Sequence, residues 1–165
     1  MKLPFVGLSV VVPNQWIDIN GHMNATHYGL IVYDAHFNFT EAIGLGAQYV
    51  DQHQCGKAVL ESHMIYEREV CEGEALEIRS WLLAVDKKRL HFFHEVYSLT
   101  RNVRVAAAEQ VDIHVDLVAR SSSELPENIY LSLQKLVAKT LKLPTPKGLG
   151  SNIKPPKNVW LPGVN

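Results

Sequence analysis

The sequence predicts an α+β chain in which one curved antiparallel sheet wraps around a buried helix and a second helix closes the fold. Three observations lead there. Positions 25–43 carry apolar residues at helical spacing on two stripes, so this helix is expected to be buried on most sides. From position 58 the apolar period changes from helical to alternating, through four segments joined by short turns. The last periodic segment, 125–141, returns to a helical spacing with one apolar face.

Leu8 to Val12 is a β-branched run ended by Pro13 and reads as the first strand. In the helix that follows, Tyr28, Val32, Ala35, Phe39 and Ala42 form one stripe, and Leu30, Tyr33 and Phe37 the other. Asn24 is a natural N-cap and the Gly44-Leu45-Gly46 run a natural stop. A short helical piece is expected around Ala47 to His53. Strands follow at 58–70, 75–85, 89–99 and 103–118, and their short turns predict a meander. In the closing helix Ile129, Leu133, Leu136, Val137 and Leu141 share a face. This order is the hotdog layout. A single sheet of this kind leaves open edges, so two subunits are expected to pair into one continuous sheet.

The chain has 165 residues, 47% of them hydrophobic, which suits one domain over 1–143. The tail, 144–165, holds five of the eight prolines and no periodicity, and reads as extended. A formal charge of −1 gives no basic surplus for nucleic acid. No apolar run approaches the ~20 residues of a membrane span. The first residues lack a signal-peptide core and cleavage site. Cys55 and Cys71 follow no metal or redox spacing, which fits a reduced, cytoplasmic protein.

The chemistry concentrates in Asp18-Ile-Asn-Gly21-His22-Met-Asn24, a polar knot running straight into the helix. The first N–H groups of a helix have no intrahelical partners, and the dipole there is positive. A carboxylate beside such donors, with Gly21 permitting a sharp turn, is machinery for attack on an activated acyl group. The plainer reading of Asp18 is a loop carboxylate capping nearby N–H groups. Asn24 is either a pure cap or a substrate contact, and His22 either orients the loop or touches substrate. No metal is expected. His91 and His94, three apart on a strand, point to opposite faces, and His27 and His36 share no suitable helical face. By alternation Glu109 falls among Ala107, Val111 and Ile113, where it is either paired or turned outward by a bulge.

The knot, followed by Tyr28, resembles the Asp-x-x-Gly-His-x-Asn opening of the 4-hydroxybenzoyl-CoA-thioesterase-like hotdog family. Further on, the segments LESHMIYEREV, KRLHFFHEVY, EQVDIHVD and PTPKGLGSNI resemble the betainyl-CoA thioesterases of carnitine breakdown. Together these matches span about Val12 to Ile153. The resemblance implies an acyl-CoA thioesterase with Asp18 as general base or nucleophile and the helix N-terminus holding the thioester oxygen. It implies Gly21, His22 and Asn24 in the same machinery and active sites shared in a homodimer or a dimer of dimers. CoA belongs to the substrate, and no cofactor is implied. Many relatives carry an acid two positions before the aspartate, where this chain has Trp16.

A quaternary ammonium acyl group needs aromatic rings and an acid around it. Trp16, Tyr28, Tyr33 and Phe37 are the nearby rings, with core packing the plainer role for Tyr28. Glu61 and His63 share a strand face with Val59 and Ile65, where an acid needs either an ion-pair partner or a cationic ligand. Lys87, Lys88 and Arg89, with Arg101 and Arg104 at the next turn, are either CoA phosphate contacts or solvated turn residues. Lys147 with Gly148 and Gly150 is a further candidate. Two other classes compete. A hotdog hydratase or dehydratase would need a histidine and an acid on the central helix, yet His36 and Glu41 do not share a face. The other is a non-catalytic acyl-CoA-binding module.

Overall fold

The computed structural model describes residues 1–148 and 156–161. Its elements are β1 (Phe5–Val11), α1 (Ala25–Ala42), α2 (Ala47–His53), β2 (Cys55–Tyr66), β3 (Ala75–Val85), β4 (Arg89–Ser98), β5 (Val103–Asp116), β6 (Ser121–Ser122) and α3 (Glu127–Thr140). The antiparallel sheet has the order β1-β3-β4-β5-β2, and β6 pairs with β5. This is the expected α+β hotdog class. No helix among the described residues is long and apolar enough to cross a membrane.

The meander needs correction. Only β3, β4 and β5 run as neighbours in sequence order, while β2 lies at the far end beside β5. The Cys71-Glu-Gly-Glu74 turn is therefore no hairpin. β2 begins earlier than expected and ends at Tyr66, after which residues 67–74 cross over to β3. Buried Val70 accepts the Met23 N–H at 2.7 Å, and near β1 the Val12 N–H donates to the Glu74 carbonyl at 3.0 Å while the Val12 carbonyl accepts the Gly73 N–H at 2.9 Å. Those contacts draw the chain away from β2 before β3 starts, so the short loop cannot fold β3 back beside it.

Two compact units divide the chain. One comprises Met1–Phe39, Met64–Trp81 and His94–Ala108; the other comprises Thr40–His63, Leu82–Phe93 and Glu109–Asn165. In the first, Tyr28, Ile31, Val32 and Ala35 of α1 join Val12, Met23, Leu76, Ile78, Val96 and Val105 in the core. The second stripe of α1, Leu30, Tyr33 and Phe37, is exposed, so in a single chain the expected burial holds for one face only. β1 runs so close to α1 that a Cβ at Gly7 would sit 2.6 Å from the Ala35 carbonyl oxygen. Phe5 stacks on Phe39 at 5.2 Å, and the Asn38 side chain donates to the Gly7 carbonyl at 2.8 Å.

In the second unit, α3 buries Tyr130, Leu133, Val137 and Thr140. Leu141 of the expected face lies past the helix end and is exposed. Buried Glu109 contacts His91 Nε2 at 2.7 Å, which resolves the alternatives for Glu109 in favour of pairing. His114 is buried between Tyr49, whose hydroxyl lies 2.7 Å from Nε2, and the Ser123 carbonyl, 3.1 Å from Nδ1. A neutral ring suits both bonds, with Nε2 accepting and Nδ1–H donating. Burial pushes the Tyr49 hydroxyl up to about 12, so it stays a donor. Burial also holds the His114 imidazole below the usual 6.5, against the Ser123 carbonyl, which works to raise it. The tail docks too: Asn158 bonds Leu83 O and Val85 N, and Trp160 Nε1 donates to Val85 O. Gly150 and the rest of residues 149–155 lie outside the described residues.

Two measurements check this packing. Gly7→Ala forces the Ala35 carbonyl to move, and a loss of about 1–3 kcal/mol is expected in denaturant titration. An unchanged midpoint would refute the close approach. His114 titrates lower in the folded protein than in the unfolded chain, so the unfolded state binds its proton first as pH falls. Its stabilising share is complete above the unfolded value and is lost on acidification. The protein is expected to be less stable at about pH 5.5 than at about pH 7.5, with a smaller difference in His114→Gln.

Candidate active site

The polar knot folds into a tight loop because its backbone pairs with itself. The Asp18 N–H donates to the His22 carbonyl, and the Gly21 N–H to the Asp18 carbonyl, both at 3.0 Å. Gly21 takes φ +81°, a conformation that favours glycine. Ile17 bridges to Met23, and the Asn24 N–H reaches the Trp16 carbonyl at 2.9 Å. The loop thus delivers its last residue, Asn24, to the first turn of α1.

Asn24 makes two different bonds there. Its Oδ1 accepts the Thr26 N–H at 3.0 Å, an N-cap, while its Nδ2 donates to Asp18 Oδ2 at 3.4 Å. The other Asp18 oxygen accepts the Asn20 N–H at 2.8 Å. A half-buried carboxylate is thereby oriented at the positive end of a helix. The Thr26 and His27 N–H groups are both taken by Asn24. Ala25 has no intrahelical acceptor by position, and it lines the same cleft as Asp18.

That cleft has a volume of about 390 Å³. It brings together four residues singled out in the sequence: Asp18, His22, Asn24 and Tyr28. Tyr28 is mostly core, with its hydroxyl directed at the Arg68 carbonyl at 3.3 Å. Burial, reinforced by Glu74, pushes its phenol up to about 12, which leaves it no part as a base.

Other candidates stand elsewhere. Trp16 stacks on His27 at 4.9 Å and packs on the core. Tyr33 lies on the exposed stripe of α1. On β2, Glu61 is exposed and His63 half-buried, because the outer strand of the sheet is covered on neither face from position 58 to 62. Lys87, Lys88 and Arg89 line a cleft of about 490 Å³ in the second unit, where Lys87 pairs with Glu127 and Arg89 with Asp86. The residues that the competing hydratase reading would need are otherwise engaged: buried His36 contacts His94 at 3.3 Å, and Glu41 accepts the Ala47 N–H at 2.6 Å.

Sequence reasoning missed the wall facing the knot. Tyr66, Glu67, Arg68 and Glu69 line the Asp18 cleft. Alternation extends the strand to position 70, but it stops at Tyr66. The Glu67 and Arg68 N–H groups then converge on the Val105 carbonyl, at 2.9 and 3.0 Å. Glu67 pairs with Arg104, which holds its carboxyl below the usual carboxylate range.

Residues 12–133 match the thioesterase-like superfamily. The chain belongs to that family. The chain is 32% identical to the betainyl-CoA thioesterase of Pseudomonas aeruginosa, over 82% of its own length and 86% of the relative's. It is 33% identical to an L-carnitine dehydrogenase/betainyl-CoA thioesterase of a Rhizobium species, over 87% of its own length, but spans only 29% of that longer protein. Among solved structures, a Staphylococcus aureus protein in complex with CoA shares the fold at a TM-score of 0.80 and 23% identity, over 90% of this chain and 94% of the other.

Asn24→Asp separates the two bonds of that residue. It keeps an acceptor for the Thr26 N–H and removes the donor to Asp18. Turnover is expected to fall about tenfold or more, with a change in melting temperature smaller than that of Asn24→Ala, which loses about 1 kcal/mol of capping. Equal turnover in Asn24→Asp and the parent would show that the Asn24–Asp18 contact has no part in the chemistry.

Proposed function

We propose that this thioesterase hydrolyses a short acyl-CoA, betainyl-CoA first, with Asp18 as its reactive carboxylate. The observation that carries the reading is the Asp18 carboxylate, oriented by Asn20 and Asn24 at the start of α1 in a cleft also lined by Ala25. In the water route, Asp18 takes a proton from water as the oxygen attacks the thioester carbonyl carbon. The oxyanion is stabilised by the Ala25 N–H and the helix dipole. Collapse breaks the C–S bond, and the thiolate leaves with the proton that Asp18 held. In the nucleophilic route, the Asp18 carboxylate attacks the acyl carbon, the C–S bond breaks and CoA leaves as the thiolate, and water then opens the mixed anhydride to the free acid and Asp18, with the proton released taken by the thiolate. Labelled water in a single turnover enters Asp18 only along the second route, when it attacks the aspartyl carbon of the anhydride.

The relatives named for betainyl-CoA support the acyl group. Lys87, Lys88 and Arg89 are proposed to meet CoA phosphates. β2 is proposed as the edge that pairs two subunits, in a homodimer or a dimer of dimers, since Val59 and Leu60 are each 56% exposed on an outer strand. Within one chain Trp16, Tyr33, Glu61 and His63 stand outside the cleft. Their proposed part in substrate binding therefore depends on a second subunit, with Glu61 and His63 on the pairing edge. A reduced, cytoplasmic setting, where CoA esters are hydrolysed without export, completes the proposal.

The test is thiol release from betainyl-CoA, acetyl-CoA, 4-hydroxybenzoyl-CoA and a long-chain acyl-CoA. Betainyl-CoA is expected to turn over fastest, and Asp18→Asn to lower its kcat by about 10²–10⁴. Full activity in Asp18→Asn would overturn the role of Asp18. Faster turnover of another ester would overturn the acyl group.

A further inference from the structure

We infer that Tyr66 and Glu69 select a cationic acyl group at the Asp18 cleft. This rests on the thioesterase reading above and supplies what that reading leaves open, the residues that recognise the acyl end.

A quaternary ammonium group has no N–H to donate. It can be held only by aromatic faces and by charge acting through space. The cleft has both. Tyr66 is 53% exposed at the wall and meets Tyr28 edge-on, with ring centroids 5.3 Å apart and planes at 89°. Tyr28 is fixed in the core, so it props the Tyr66 ring against the open space.

The charges on the same wall are not equivalent. Glu67 is neutralised by Arg104. Arg68 is the one cation on this wall, and it is tied back: its Nη1 donates to the Arg104 carbonyl at 2.9 Å and lies 3.7 Å from the Glu67 carboxylate. Glu69 differs, since its carboxylate has no cationic partner among the described residues. Its backbone is nevertheless held in place. Arg101 Nη2 donates to the Glu69 carbonyl at 2.6 Å, and Arg101 Nε to Glu74 at 2.8 Å. Burial would raise the Glu74 carboxyl, but bonds from the Cys71 N–H, Ser98 and Arg101 outweigh it and hold it below the usual range. Glu74 thus stays ionised as the anchor of Arg101. An uncommitted carboxylate on a pinned backbone, beside an open aromatic ring, suits a cation. It also repels an acyl group ending in a carboxylate, so the same residue serves rejection.

The experiment compares betainyl-CoA with 3,3-dimethylbutyryl-CoA, in which carbon replaces the ammonium nitrogen without change of shape. The parent enzyme is expected to favour the cation in kcat/KM. Glu69→Gln and Tyr66→Leu are each expected to lower the ratio of the two kcat/KM values about 5- to 30-fold, with the neutral ester within about 2-fold of the parent. Tyr66→Phe keeps the ring and is expected to keep the ratio. A ratio unchanged in both variants, or an equal fall for both esters, would overturn the assignment of these residues while leaving the betainyl reading intact. A parent that prefers the neutral ester, or cleaves neither, would overturn that reading and this inference together. Melting temperatures of the variants exclude misfolding as the cause of a fall.

Discussion

The hydrogen bond from the Met23 N–H to the Val70 carbonyl, 2.7 Å long, joins two stretches of chain that are far apart in sequence. One is the loop that carries Asp18. The other is the crossover that carries Glu67, Arg68 and Glu69. Without that bond each stretch has its own local reasons to fold, the first through its turn at Gly21 and the second through Glu74 and Arg101. With it, two walls face one space. Met23 and Val70 are both buried in the core of the first unit, so the bond is shielded from competing water. The cleft that Asp18 shares with Glu67, Arg68 and Glu69 depends on this tie.

What could be read from the sequence divides along the same line. Asp18, His22, Asn24 and the start of α1 were legible because their chemistry is local. A carboxylate, a glycine and a cap within seven residues specify a loop whose bonds lie mostly within itself. The opposite wall was not legible, because its residues meet the knot only through the placement of β2 at the far end of the sheet. A short turn after an alternating run reads as a hairpin, and nothing in the spacing of Cys71 to Glu74 says that the chain crosses over instead. Glu61 stood out as an acid among apolar residues, an argument that assumed a buried face. On an outer strand that face is open in a single chain, so Glu61 stands exposed. The second stripe of α1 shows the same limit: periodicity finds apolar faces but does not say what covers them.

The interior histidines follow a different rule. His36 and His94 contact each other, and Ser80 Oγ meets His94 Nδ1 at 2.8 Å. His91 meets Glu109, and His114 lies between Tyr49 and Ser123. Each buried imidazole has a specific partner, as burial of a polar ring demands. Such pairs contribute little net stability, since both members lose water, but they penalise any register that separates them. These histidines hold strands and helices in alignment.

The contacts of Asn158 and Trp160 bear on the edge of β3. β1 pairs with β3 only as far as Ser80, and β3 runs on to Val85. Beyond that point the Asn158 amide meets the Leu83 carbonyl and the Val85 N–H, as the backbone of a neighbouring strand would, and the Trp160 indole takes the Val85 carbonyl. Two side chains stand in for a missing strand. A tail rich in proline cannot form a regular ladder, yet it blunts an edge that would otherwise invite pairing with another chain. Asn158 and Trp160 thus occupy backbone groups of β3 that a partner strand would otherwise take.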